Sequence, residues 1–89
     1  MGNEIYLKYF GYREQDVPLC EICGQPAVDI HHIKYRSQGG KDEISNLVAL
    51  CRNCHGRAHF KKTPYLDSKE LKRIHYSFLD YYMNVFIND

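Results

Sequence analysis

Four cysteines in an 89-residue chain fall into two C-x-x-C pairs, Cys20 with Cys23 and Cys51 with Cys54, and none is left over. A domain this short buries a modest share of its surface, so its core alone leaves a thin stability margin and a staple is expected. Two such knuckles supply four thiolates, the complete tetrahedral shell of a structural Zn2+ ion. The competing reading, disulfides or idle thiols, fits a paired C-x-x-C arrangement less well. Four sulfurs leave the ion no open position, so any chemistry must be carried by other residues. The interval from Cys23 to Cys51 is longer than the ~15–20 residues of a common two-knuckle zinc site. It implies an insert with work of its own.

The first ten residues, MGNEIYLKYF, contain neither a basic n-region nor an apolar h-region, and Tyr6 stands where a myristoylation signal needs Ser or Thr. The expectation is a cytoplasmic protein whose thiols stay reduced. No apolar run approaches bilayer length, so no membrane role is expected. The net charge of +1 argues against a strongly basic nucleic-acid coat and leaves room for a local basic patch. Between His31 and Lys62 the chain carries Lys34, Arg36, Lys41, Arg52, Arg57, Lys61 and Lys62 against only Asp42 and Glu43. This middle third is the basic part, whether as a solvated face or as a binding surface.

The spacing of Ile5, Tyr6, Tyr9 and Phe10 predicts a short helix ending at Gly11, although Ile5, Leu7 and Tyr9 also alternate as in a strand. Residues 17–62 hold every Cys and four of the five His. Within them AVDIHHI (27–33) is β-branched and alternating, NLVAL (46–50) is a short apolar run, and CRNCHGRAHFKK follows at helical spacing. The order is strand, loop, strand, helix. Residues 67–87 open with Asp67 and Glu70 in a capping-box arrangement. They set Leu71, Ile74, Phe78, Leu79, Tyr82 and Val85 along one face, which predicts a closing helix. His75, in that helix, receives no functional assignment.

His55 and His59 are one helical turn apart, the spacing that lets two imidazoles meet one ion, and also a spacing found on ordinary surface or core faces. His31 and His32 are adjacent, and adjacent strand residues point to opposite faces. One imidazole can therefore face the helix and join His55 and His59, while the other stays free to take a proton. Asp29 falls on the face of His31, where a carboxylate can orient a ligating imidazole or be a plain edge charge.

The run from Cys20 to His59, CEICGQPAVDIHHIKYRSQGGKDEISNLVALCRNCHGRAH, resembles the HNH endonucleases. The doubled His after a carboxylate, the Gly-Gly loop, Asn-Leu before the second knuckle, and Cys-His followed by His carry the resemblance. It implies an α+β fold: a small zinc-stapled ββα-metal domain, with a two-stranded antiparallel hairpin plus a helix, flanked here by N- and C-terminal helices in a single domain. It also implies His31 as first metal ligand, His32 as general base, Asn46 as the brace of the loop, and His55 as second ligand. His59 resembles a third ligand found in part of the family, and the cysteines match the members with a separate zinc.

The activity implied is metal-dependent hydrolysis of DNA. The cofactors are a structural Zn2+ and a catalytic divalent ion, Mg2+, Mn2+, Ni2+ or Zn2+. Lys34, Arg36, Lys41, Arg57 and Lys61 are the candidate phosphate binders. Cleavage to 5′-phosphate and 3′-hydroxyl ends is expected, with nicking and low sequence specificity unless a homodimer or a partner protein supplies more. A zinc-stabilised nucleic-acid-binding module without catalysis is the alternative, and a finger using mixed Cys and His ligands is a third.

Overall fold

The hairpin is built from two short apolar runs. In a computed structural model, which describes residues 2–59 and 63–87, β1 (Asp29–His32) pairs antiparallel with β2 (Leu47–Leu50). Asp29 lies opposite Leu50 and His31 opposite Val48. All four β2 residues are buried, so this strand shows no polar alternation. Its two faces feed two clusters. Val48 and Leu50 pack with Ile33, Ala58, Leu66, Leu71 and three of the cysteines, while Leu47 and Ala49 pack with Ile30 and Tyr6.

The first face is covered by α2 (Arg52–His59) and by the start of α3 (Ser68–Tyr82), the second by α1 (Gly2–Tyr9). Beyond α1 the chain turns at Gly11, whose φ of 74° is the left-handed conformation that glycine adopts without steric cost. Phe10 packs against Tyr6, Phe78 and Tyr82, which joins the first helix to the last. No helix among the described residues is long and apolar enough to cross a membrane.

At the head of α3, Asp67 caps the helix by accepting from the Glu70 amide at 2.8 Å. The reciprocal half of the capping box is missing, because the Glu70 carboxylate pairs with Arg73 instead. The expected apolar stripe also ends early. Val85 is 37% exposed and lies in the π-helical turn Met83–Ile87, whose i→i+5 bonding departs from the 3.6-residue period that sets the stripe.

His75, to which the sequence assigns nothing, is fully buried in the middle of α3. Its Nε2 donates to the Ile44 carbonyl at 2.5 Å, and its Nδ1 lies 2.8 Å from Glu21 Oε1. The Tyr6 hydroxyl donates to Glu21 Oε2 at 2.5 Å. Burial, followed by the Glu21 carboxylate, pushes the Tyr6 phenol far above its usual range and keeps it a donor. Glu21 sits between Cys20 and Cys23, so one buried carboxylate ties the first knuckle to α1, to α3 and, through His75, to the turn before β2. Removing one partner strands the others without solvent, at a cost of about 3 kcal/mol or more. Glu21→Ala and His75→Ala are therefore expected to lower the thermal midpoint of the zinc-loaded domain by more than about 10 °C. An unchanged midpoint in differential scanning calorimetry would show that the network is incidental.

Candidate functional site

Cys20, Cys23, Cys51 and Cys54 bring their sulfurs within 4.8 Å of one another. A zinc tetrahedron with bonds of ~2.3 Å sets its sulfurs about 3.8 Å apart, so the donor set fits that ion. Cys23 and Cys51 are 3.4 Å apart, sulfur to sulfur, and no cysteine is in a disulfide. The Cys54 amide donates to the Cys51 sulfur at 3.4 Å. Burial pushes the Cys51 thiol up, but hydrogen bonds from the Cys54 amide and from the neighbouring thiols outweigh it and bring the pKa down to about 7. Cys51 closes β2 and Cys54 lies in the first turn of α2, so the cluster fixes the angle at which the helix leaves the hairpin.

A second group of donors lies on the same unit. Asp29 and His31 are two apart on β1 and share a face, and α2 brings His55 to them. The donor atoms of these three residues lie within 4.8 Å of one another, with Asp29 Oδ2 3.3 Å from His55 Nε2. Burial, reinforced by the neighbouring His55, lowers the pKa of His31 to about 4, which keeps the ring neutral with a lone pair to offer. His59, one turn further along α2, stacks its ring on His55 at 5.4 Å and sits 6.3 Å from the His31 ring. Its Nδ1 lies 3.3 Å from the Tyr35 hydroxyl. The donors that converge among the described residues are thus Asp29, His31 and His55, with His59 beside them.

His32 points the other way. Its Nε2 lies 2.6 Å from Asp42 Oδ1, and Asp42 in turn accepts from both Nε and Nη2 of Arg36. The bond to His32, followed by that to Arg36, holds the Asp42 carboxyl below the usual carboxylate range. The loop that delivers Asp42 is held by Asn46. Its Oδ1 accepts from the Lys34 amide at 2.8 Å, and its Nδ2 donates to the carbonyls of Lys34 and Lys41, each at 3.0 Å. Gly40 lies so close to the Lys34 carbonyl that a Cβ there would overlap it, and Gly39 takes a φ of 89° that side chains rarely adopt, so both positions call for glycine.

Of the expected phosphate binders, Lys34 and Lys41 are exposed beside this loop. Arg36 is engaged by Asp42, and Arg57 Nε donates to the Pro64 carbonyl at 2.7 Å. Lys61 falls outside the described residues. Asp42 is the site residue that sequence reasoning missed. Its signal was its isolation, since Asp42 and Glu43 are the only acids in a basic stretch.

The HNH endonuclease family matches residues 20–61, the span that holds both donor groups and the loop. The similarity to the HNH endonucleases spans this part of the chain. Two curated relatives share the similarity. The type IV methyl-directed restriction enzyme EcoKMcrA of Escherichia coli strain K12 is 37% identical over 68 residues, covering 65% of this chain and 23% of the relative. The mitochondrial DNA mismatch repair protein mutS homolog of Sarcophyton glaucum is 43% identical over 56 residues, covering 56% of this chain and 6% of the relative. The chain therefore spans under a quarter of the length of either protein.

Within the matched span the four sulfurs and the Asp29 group share no residue, so loss of an ion held by the sulfurs should act on folding first. Cys20→Ser and Cys51→Ser are expected to abolish retention of one zinc per chain and the cooperative thermal transition. Elemental analysis that finds zinc-free but folded protein, or a Cys20→Ser variant with an unchanged melting curve, would contradict this.

Proposed function

We propose that this chain is a metal-dependent DNA endonuclease that hydrolyses phosphodiester bonds. The observation that supports it most directly is the convergence of Asp29, His31 and His55 on the hairpin and helix that also hold His32 against Asp42. A carboxylate and two imidazoles suit a divalent ion such as Mn2+, Ni2+, Mg2+ or Zn2+, with His59 within reach as a further ligand. Such an ion, when bound, supplies Lewis-acid neutralisation of the phosphate and of the departing oxygen.

His32 is the general base in this reading. Nε2 faces a carboxylate acceptor and carries the ring hydrogen, so Nδ1 keeps the lone pair and takes the proton from water. Asp42 fixes that tautomer and the ring's orientation, and Arg36 fixes Asp42. Asn46 closes the loop so that this arrangement is in place before substrate arrives. Lys34 and Lys41 contact phosphates without reading sequence. The nucleophile is water, so no neighbouring 2′-hydroxyl is needed, and the resemblance to HNH enzymes implies departure of the 3′ oxygen. Products are then 5′-phosphate and 3′-hydroxyl ends, with nicks preceding linear DNA because each chain has one base. Low specificity follows from contacts to the backbone alone, and a second copy or a partner protein would supply more.

Supercoiled plasmid incubated with Mg2+, Mn2+ or Ni2+ should be nicked first, and the nicks should be sealed by ligase. Cyclic phosphate ends, or 3′-phosphates that block ligation, would overturn the roles of His32 and the ion. Asp42→Asn is expected to lower kcat by about 10²-fold or more while leaving DNA affinity near that of the unsubstituted chain, because it disturbs the base and not the binding surface. Unchanged kcat in Asp42→Asn would remove Asp42 from the mechanism.

A further inference from the structure

The C-terminal helix lies outside the matched HNH span, yet its exposed side borders the catalytic loop. Along α3 the positions Leu71, His75, Phe78 and Tyr82 face inward, at helical intervals of three and four residues. Lys69, Lys72 and Tyr76 recur at the same intervals on the exposed side. This second stripe is not idle surface. Lys72 and Tyr76 line a groove together with Lys34, Lys41, Glu43 and Asn46.

The groove does not stop there. Lys34 and Lys72 also border a neighbouring hollow with Ile33, Gln38, Ser68 and Lys69. Ile33, Gln38 and Ser68 line a third hollow that reaches His31. The three hollows share lining residues and so form a chain that takes in His31, the head of α3 and Tyr76. Lys34, Lys41, Lys69 and Lys72 are exposed along it. The acids on the same surface are Glu43 and Asp67, and Asp67 spends one oxygen capping α3.

We propose that this groove binds the backbone of duplex DNA, with Lys69 and Lys72 of α3 contacting phosphates on the strand that reaches the catalytic site. The inference rests on the endonuclease reading and extends it to a helix that the family match does not cover. Lys69 and Lys72, about 4.5 Å apart along the helix axis, join the exposed Lys34 and Lys41 in a local excess of positive charge that suits a polyanion. Arg73, on the same helix, is held by Glu70 and is left out of the contact.

The test measures duplex affinity from about 50 to 200 mM salt, using full chains with His32→Ala to prevent cleavage. Each lysine–phosphate contact contributes about 0.9 to the slope of log affinity against log salt. Lys69→Ala combined with Lys72→Ala should therefore reduce the slope by about two and weaken binding at 0.1 M salt on the order of 10-fold or more. The melting temperature should not change, because both side chains are exposed. Lys8→Ala, on exposed α1 across the hairpin, should leave the slope as it was. An unchanged slope in the double variant while the parent binds DNA would overturn this proposal alone. An equal fall in Lys8→Ala would also overturn it, by showing an effect of net charge. A parent chain that neither binds nor nicks duplex DNA would overturn the endonuclease reading together with it.

Discussion

Four sulfur atoms within 4.8 Å of one another set the geometry on which the rest of this domain depends. Cys51 and Cys54 straddle the junction of β2 and α2, and Cys20 and Cys23 bring a distant loop to the same point. The hairpin has only four residues per strand and could not hold a helix at a fixed angle by its own pairing. A metal bound by all four thiolates would supply that angle. Glu21, carried between the first two cysteines, then spreads the constraint to Tyr6 and His75, so that α1 and α3 are held to the knuckle by buried hydrogen bonds. The small core of Leu47, Val48, Ala49 and Leu50 is completed around this framework.

The placement of the histidines depends on a second, simpler constraint, the two-residue period of a strand. His31 faces α2, where Asp29 and His55 meet it, and His32 faces the loop, where Asp42 meets it. One residue of offset therefore gives two imidazoles different partners. A slip of register by one residue would exchange those environments, burying the ring held by Asp42 and exposing the one whose pKa is lowered by burial. Asn46 guards against such a slip, because its side chain binds the backbone at both ends of the loop.

Much of this was legible in the sequence because it is local. The cysteine knuckles, the alternating strand, the apolar run and the one-turn His pair are each read within a few residues, and the elements follow in the expected order. What escaped is long-range or depends on tertiary placement. Glu21 and His75 are 54 positions apart and neither belongs to a pattern, so their pairing is visible only once α3 is docked. Asp42 looks like a stray acid until the Gly-Gly turn brings it to His32. Arg36 and Arg57 read as free cations, yet each is held by a neighbour. The exposed stripe of α3 has no motif, and it gains meaning from the loop that it faces.

The central claim is that one small domain holds two metal ions for different purposes, one in the sulfur cluster for folding and one at Asp29, His31 and His55 for catalysis. Native mass spectrometry of zinc-loaded protein titrated with Mn2+ tests it most directly, with His55→Ala and Asp29→Ala beside the unsubstituted chain. The account predicts two ions per chain in the parent, and one tightly held zinc with a native fold in both variants. A single ion per chain that is lost on changing either His55 or Asp29, or a second ion unaffected by both changes, would contradict it.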